Sequence, residues 1–253
     1  MNNFSGSGGG KLFVVPTPVG NLGDMAPRAV EILRGCNLIL AEDTRTSSVV
    51  MRHFGVTTPL MSHHKFNEHD TVKPLVDRLL GGEIIALVSD AGTPAISDPG
   101  FMLVRECRLA GIEVETLPGP TAFVPALVNS GLPCERFCFE GFLPPKKGRA
   151  TRLAQLAADE RTFIIYESPL RLVKTLGELA QVCGIDRDAS VSREISKLHN
   201  TTHNGTLGEL TEYFTQNNPR GEIVIVVAGN RADKGQKKIH RNKYRDNDEA
   251  DNI

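Results

Sequence analysis

Short apolar runs alternate with amphipathic helical patterns along the chain, and this alternation restricts the fold more than any other feature. The strand-like runs lie at 12–15, 38–40, 84–88 and 114–117, with a short run before residue 62, and the helical patterns at 26–33, 47–54, 72–80 and 101–110. Such alternation is typical of βαβ units, in which helices connect parallel strands. The sequence therefore predicts an N-terminal α/β domain over residues 11–122.

A second series of the same kind follows. Its strand-like runs lie at 137–139, 163–166, 189–193 and 223–227, and its helical patterns at 149–158, 170–182 and 207–214. Two adjacent α/β domains explain both series better than one sheet, so we predict a C-terminal domain at 123–230 with a ligand crevice between the halves. We predict that the Gly/Ser-rich lead at 1–10 is flexible and that the charged tail at 231–253 is disordered.

Composition excludes several classes of protein. The formal net charge of −1 gives no general attraction to polyanions, so nucleic-acid contacts must come from local basic patches. The five cysteines include no CxxC pair, which argues against a disulfide framework and a zinc knuckle. No apolar stretch reaches the ~20 residues of a membrane span, and the N-terminus lacks a secretion signal. We expect a globular, cytoplasmic protein.

The segment 89–100, SDAGTPAISDPG, follows directly on the apolar run at 84–88. Gly and Pro fix an irregular backbone there, at the carboxyl end of a predicted parallel strand. Ligands of open α/β sheets bind in the crevice outside these strand ends. The segment is therefore predicted to be a ligand-binding loop.

Three further loops are predicted at the same edge of the sheet. Residues 16–24 form either a stiff turn or a ligand loop. In AEDTR at 41–45, Asp43 or Thr44 could cap the next helix, and the alternative is substrate binding or catalysis. Residues 118–122 form a rigid turn leading into a helix, whose free N–H groups could bind an oxygen ligand.

The sequence does not favour metal binding or several common enzyme chemistries. The polar cluster SHHKFNEH at 62–69 lacks regular metal-ligand spacing, so a solvated loop or a substrate contact is favoured over a metal. There is no GxxxxGK[ST], HExxH, GxSxG or GxGxxG motif to indicate nucleotide hydrolysis, zinc proteolysis, triad hydrolysis or dinucleotide binding.

Seven motifs together identify a family resemblance. They are TPVGNLGD at 17–24, AEDTR at 41–45, HxxNE at 64–68, VSDAGTPAISDPG at 88–100, LPGPTA at 117–122, FEGFLPPKKGR at 139–149 and YESPLRL at 166–172. From about residue 11 to residue 229 the chain resembles the tetrapyrrole-methylase-like (class III) S-adenosylmethionine methyltransferases. Within that family it is similar to members that modify small-subunit ribosomal RNA.

The resemblance implies a mainly parallel N-terminal sheet, a mixed C-terminal sheet, and S-adenosylmethionine in the cleft between them. It also implies a homodimer that methylates a cytidine ribose 2′-oxygen in the decoding region of 16S rRNA, in the small ribosomal subunit. The implied cofactor contacts are Asp90, Ala91, Gly92, Thr93, Pro94, Thr121, Ala122, Tyr166 and Ala228. The motif context makes Asp90 and Asp98 loop-shaping or cofactor-contacting residues and not proton acceptors.

Methyl transfer to a ribose hydroxyl requires alignment of the oxygen with the sulfonium methyl group, and a base assists because the hydroxyl is a weak acid. The candidate bases are Glu42, Asp43, Glu167 and Glu194. We favour Asp43, with Arg45 binding an RNA phosphate or the cofactor carboxylate. His64 is the second choice, and its alternative role is structural hydrogen bonding.

Basic side chains that could bind RNA phosphates lie in patches; they are Lys146, Lys147, Arg149, Arg152, Arg193 and Lys197. For 146–152 a solvated helix is the alternative. Phe66, Asn204 and the stretch 197–200 depart from the family pattern, which leaves the details of RNA docking open. Phe66 could stack on a base or pack in the core.

Two other functions stay open. Methylation of a tetrapyrrole or a protein side chain would use the same cleft, but it would need no basic patches. A non-catalytic RNA-binding assembly factor would keep the patches and lose affinity for the cofactor.

Overall fold

A computed structural model of the protein describes residues 9–230. The predicted tail at 231–253 lies outside the described residues, as does the predicted lead apart from Gly9 and Gly10. The described residues form two α/β halves, each built on a five-stranded sheet.

The first half alternates strands and helices as the sequence predicts. Its elements are β1 (Lys11–Val14), α1 (Pro27–Gly35), β2 (Leu38–Ala41), α2 (Thr44–His53), β3 (Leu60–Ser62), α3 (Glu68–Leu80), β4 (Ile84–Leu87), α4 (Phe101–Leu109) and β5 (Glu113–Thr116), with a 3₁₀ turn at Leu22–Asp24. The strand order is β3-β2-β4-β1-β5, and every pairing is parallel. Phe13 and Ile39 pack with α1 and α2 on one face of the sheet, and Leu12 and Leu40 pack with α3 and α4 on the other. The loops after the strands therefore meet at one sheet edge.

The second half is a mixed sheet, which confirms the predicted fold class. Its elements are α5 (Phe123–Asn129), β6 (Phe137–Phe142), α6 (Arg149–Ala158), β7 (Thr162–Glu167), α7 (Leu172–Cys183), β8 (Asp188–Arg193), β9 (Thr201–Thr206), α8 (Leu207–Gln216) and β10 (Ile223–Val227). The order is β6-β7-β10-β8-β9; β6 and β7 are parallel, and the other pairings are antiparallel. Ala126 and Leu127 of α5 pack against Ile164, Val224 and Val226, so α5 belongs to this half.

The sequence did not reveal β9, because its residues TTHNGT show no apolar alternation. This strand lies at the edge of the second sheet and pairs with β8 alone. Edge strands are often polar, since one of their sides faces solvent.

Candidate active site

Three loops of the first half are joined by hydrogen bonds at the carboxyl ends of the parallel strands. Thr17 and Gly92 exchange both backbone hydrogen bonds at 2.9 Å, and the Thr17 hydroxyl donates to the Ser89 carbonyl at 2.9 Å. The Thr93 hydroxyl donates to the Pro120 carbonyl at 3.2 Å. The loops at 16–24, 89–100 and 118–122 therefore form one surface.

Two glycines of this surface could not be replaced without strain. Gly92 has a φ of +86°, which L-amino acids rarely adopt. A Cβ on Gly119 would lie 2.7 Å from the Cβ of Pro16, so the first and third loops approach too closely for a side chain there. The backbone, more than the side chains, thus shapes this surface.

A cavity of about 390 Å³ lies between this surface and the second half of the molecule. Its lining comprises Val19, Asp90, Ala91, Gly92, Thr93, Ile96, Ser97, Asp98, Thr121 and Ala122 from the first half, and Phe123, Phe142, Tyr166, Glu167, Ser168, Pro169, Ile195, Gly221, Glu222, Ile223 and Val224 from the second. Both halves contribute polar groups, and the aromatic rings, Phe123, Phe142 and Tyr166, come from the second half. This volume lies within the range of small-molecule sites.

Seven of the nine residues predicted to contact a cofactor line the cavity, and Pro94 and Ala228 do not. The position of Ala228 has a clear cause. Tyr166 lies near the carboxyl end of β7, and β10 runs antiparallel to β7, with Ile223 opposite Glu167. The amino end of β10 therefore faces the cavity, whereas Ala228 follows its far end. Glu222 to Val224 line the cavity at this end of β10, and a cofactor contact at Ala228 stays a prediction.

Asp43 caps α2, which is the alternative left open by the sequence. Its carboxylate accepts a hydrogen bond from the Arg45 backbone N–H at 2.8 Å and from the Arg45 guanidinium at 3.0 and 2.7 Å. These hydrogen bonds lower the pKa of Asp43 to about 2. Neither Asp43 nor Arg45 lines the cavity, so the structure does not bring the favoured base into it.

His64 also lies outside the cavity lining. Its backbone N–H donates to Asn67 at 2.7 Å, and its Nδ1 accepts from the Phe66 N–H at 3.3 Å. These bonds are the structural role considered above. The neighbouring His63 is fully buried, which lowers its pKa.

Glu167 is the predicted catalytic residue that does line the cavity, but its carboxylate is fully engaged. The side chain is 0% exposed and pairs with the Arg171 guanidinium at 2.7 Å. It also accepts from the Thr175 hydroxyl and from the Ser168 N–H, both at 2.7 Å. An engaged carboxylate of this kind holds the turn between β7 and α7.

Three other carboxyl groups, which we call the acidic wall, lie close together in the first half: Glu42, Asp90 and Asp98. Burial and the charge of Asp90 raise the pKa of Glu42. Burial, followed by the charge of Asp43, raises the pKa of Asp90. Burial and the charges of Glu42 and Asp90 raise the pKa of Asp98 to about 7. Asp90 and Asp98 both line the cavity.

Comparison with known proteins places this geometry in a family. The family model described as Tetrapyrrole (Corrin/Porphyrin) Methylases matches residues 11–211. The chain belongs to this family. Two relatives named Ribosomal RNA small subunit methyltransferase I come from Synechocystis and Thermotoga maritima. The first is 50% identical over 87% of this chain and 79% of its own length, and the second is 43% identical over 87% and 99%.

Solved structures share the fold of this tetrapyrrole methylase family member at low sequence identity. Cobalt precorrin-4 methyltransferase has a TM-score of 0.64 and 16% identity, covering 86% of this chain and 94% of its own. A uroporphyrin-III C-methyltransferase from Thermus thermophilus, complexed with S-adenyl homocysteine, has a TM-score of 0.61 and 17% identity, covering 86% and 97%.

The basic residues of the chain differ in their freedom to bind RNA. Lys146 and Lys147 are exposed. Arg149 is buried, with its guanidinium 2.7 Å from Glu178 and 2.7 Å from the Thr175 hydroxyl, so its assignment to RNA was wrong. Arg152, Arg193 and Lys197 all have protein partners: Arg152 donates to Glu140, Arg193 to Thr201, and Lys197 to Glu194 and Glu222.

Cavity residues missed by sequence reasoning come mainly from the second half and from the end of the Gly/Pro loop. Gly221 carried a local signal, a glycine two residues before an apolar strand. Its φ is +82°, and a Cβ there would lie 2.3 Å from the Glu194 carboxyl group. Within residues 9–230, no helix is long and apolar enough to cross a membrane, and no cluster of metal-ligating side chains occurs.

Proposed function

We propose that this chain uses S-adenosylmethionine to methylate the ribose 2′-oxygen of a cytidine in the decoding region of 16S rRNA. One observation carries the proposal. The chain is 43–50% identical to relatives named Ribosomal RNA small subunit methyltransferase I, and it has a cavity where the Gly/Pro loop meets the second sheet. The Thermus enzyme that shares the fold and carries S-adenyl homocysteine supports the choice of methyl donor.

The cavity residues fit this donor chemically. The backbone at 90–93 and 121–122 offers N–H and carbonyl groups, and the aromatic rings of Phe123, Phe142 and Tyr166 offer apolar surface for an adenine ring. Burial raises the pKa of Tyr166 to about 12, so its hydroxyl stays a hydrogen-bond donor at neutral pH. When bound, S-adenosylmethionine supplies an electrophilic methyl group with a neutral leaving group.

The protein contributes mainly alignment. Holding the accepting oxygen and the methyl group in line is worth up to about 7–11 kcal/mol in well-oriented systems. The paired backbones of Thr17 and Gly92, together with the Thr93–Pro120 bond, hold one cavity wall in a single conformation. A preformed wall avoids the entropy loss of ordering loops when substrate binds.

RNA would reach this cavity through local positive charge. Lys146 and Lys147 lie exposed in the loop before α6, and α6 follows Phe142 of the cavity lining by a short connection. Phosphate contacts of this kind give a salt-dependent affinity. We include in the proposal that the protein acts in the cytoplasm, as a homodimer, on the small ribosomal subunit.

Methyl-labelled S-adenosylmethionine tests the proposal. The protein is incubated with 30S subunits lacking the modification, with naked 16S rRNA, and with a tetrapyrrole precursor. We expect label in one cytidine, on its ribose 2′-oxygen, as mapped by nuclease digestion and mass spectrometry. Label only in the tetrapyrrole, or in no substrate, would overturn the proposal.

A further inference from the structure

Asp98 occupies a position that Asp43 does not. It lies on the loop at 89–100 and lines the cavity between the two halves, whereas Asp43 lies outside it and is bound to Arg45. A proton acceptor for a substrate hydroxyl must be able to reach that hydroxyl. Of these two aspartates, only Asp98 faces the space where a small ligand fits.

The groups that face Asp98 come from three elements. Glu42 follows β2, Asp90 lies on the same loop as Asp98, and Tyr166 lies on β7 across the cavity. The nearby Ser89 hydroxyl favours the charged form, but burial and the two carboxylates oppose it more strongly. Within residues 9–230, no Lys, Arg or His forms an ion pair with Asp98. The pKa of Asp98 is therefore raised to about 7.

The loop holds Asp98 in place at some conformational cost. Ala95 and Ser97 have φ values of +68° and +67°, which side-chain-bearing residues rarely adopt. On the other side, Gly100 donates its N–H to the Glu68 carboxylate at 3.0 Å. Strained backbone persists where its surroundings enforce it, and such strain clusters at functional sites.

We propose that Asp98 is the catalytic proton acceptor of the methyl transfer. This inference rests on the proposed function and names the group that deprotonates the ribose hydroxyl.

The step balances without any further reagent. The 2′-O–H bond breaks, its electron pair stays on oxygen and forms the bond to the methyl carbon, and the carbon–sulfur pair leaves with sulfur. The proton goes to the Asp98 carboxylate, which releases it to water after the product departs. A base with a pKa close to the working pH combines an adequate ionised fraction with adequate proton affinity.

The first test measures Asp98 in the ligand-free protein. Aspartate labelled with ¹³C at the carboxyl carbon is titrated by NMR, and the Asp98 signal is assigned as the one missing from Asp98→Asn. We expect a midpoint near pH 7, because burial and the charges of Glu42 and Asp90 raise the pKa of Asp98 to about 7. A midpoint below 5 would overturn the proposal, whatever the activity of the protein.

The second test follows single-turnover methylation of 30S subunits from pH 5.5 to 9. The wild-type rate should rise tenfold per pH unit up to about pH 7 and then level off, because only the ionised Asp98 accepts a proton. Asp98→Asn should lose roughly 10²–10⁴-fold in rate, together with the pH dependence below 7. Asp77→Asn, an exposed residue of α3, is the matched control and should behave as wild type.

Measurements of cofactor affinity distinguish a proton-accepting Asp98 from an Asp98 that only binds the cofactor. Calorimetry with S-adenosylmethionine and S-adenosylhomocysteine should give affinities for Asp98→Asn within threefold of wild type, and circular dichroism should show native folding. Weakened S-adenosylmethionine binding with an unchanged rate at saturation would make Asp98 a cofactor ligand and overturn the proposal. If the wild type itself methylates no 30S subunit, the proposed function fails, whereas wild-type methylation with an unaffected Asp98→Asn contradicts only this inference.

Discussion

The carboxylates on the two sides of the cavity differ in whether a positive charge lies beside them. In the second half, Glu167 is paired with Arg171 and bonded to Thr175. In the first half, Glu42, Asp90 and Asp98 lie close together, and burial and neighbouring negative charges raise their pKa values. A carboxylate paired with a positive charge stabilises the fold. A carboxylate close to other negative charges has a raised pKa, and such raised pKa values are common at functional sites.

The largest expected loss of stability comes from breaking the ion pair between Glu167 and Arg171. Glu167→Gln leaves the Arg171 guanidinium without its charged partner and weakens the turn after β7. We expect the free energy of unfolding to fall by about 2–4 kcal/mol, less than for a fully buried pair, because the Arg171 side chain is 37% exposed and solvent can screen its charge. Urea denaturation measures this loss. The double variant Glu167→Gln/Arg171→Met should recover part of it, and a loss below about 1 kcal/mol would contradict the scaffold role.

The next largest loss of stability is expected at Gly100, in the loop at 89–100. Gly100 has a φ of +126°, and a Cβ there would lie 2.5 Å from Leu87 Cδ2, so Gly100→Ala should lower the free energy of unfolding by about 2–3 kcal/mol. Gly82 is the control, because its φ is +96° but no atom lies within 4 Å of the added Cβ. Gly82→Ala should lose only about 1 kcal/mol. Equal losses would show that contact with Leu87 adds nothing.

Removing a crowded carboxylate should stabilise the fold. The raised pKa of Asp98 means that its contribution to stability, present below pH about 4, is lost as the pH rises towards about 7. Asn stays neutral throughout, so Asp98→Asn should match wild type at pH 4 and exceed it at pH 8. Partial exposure reduces the expected gain to about 1–2 kcal/mol. Thermal unfolding at the two pH values measures it, and a destabilised variant at pH 8 would contradict the crowding.

The smallest effect on stability concerns free surface charge. Lys146→Ala/Lys147→Ala should change the free energy of unfolding by less than about 0.5 kcal/mol. The salt slope of RNA binding should fall by about one per lysine that contacts a phosphate. Arg149→Met is the contrast, because it removes the shorter ion pair of Glu178, leaves that carboxylate only Lys174 at 3.8 Å, and should lower stability with little change in slope. An unchanged slope in the double lysine variant would place RNA elsewhere.

Much of the fold could be predicted from local pattern. The first sheet follows from apolar strand runs separated by helical patterns, and only the polar edge strand β9 of the second sheet lacked such a signal. Gly and Pro after the strand run at 84–88 indicated the cavity loop, because ligands of open α/β sheets bind outside the carboxyl ends of the strands.

What failed depended on distant parts of the chain. Arg149 meets Glu178, 29 residues away, and no local pattern shows whether an arginine will find such a partner. The sequence could not show that Ala228 lies outside the cavity lining, because strand direction in a mixed sheet is a property of the whole sheet. The motif context gave Asp98 a loop-shaping or cofactor-contacting role, and the sequence could not show its raised pKa, which depends on burial and on Glu42, a residue 56 positions earlier.

The first loop also reaches across to the second half. Asp24 accepts a hydrogen bond from the Ser196 hydroxyl at 2.6 Å, and the alkyl chain of Lys197 lies against Gly20. The same loop is paired through Thr17 with Gly92 of the Gly/Pro loop, on the same cavity wall. A motion that widens the cleft would therefore load the hydrogen bonds between the first loop and the Gly/Pro loop. The width of the cavity and the shape of this wall are coupled through those bonds.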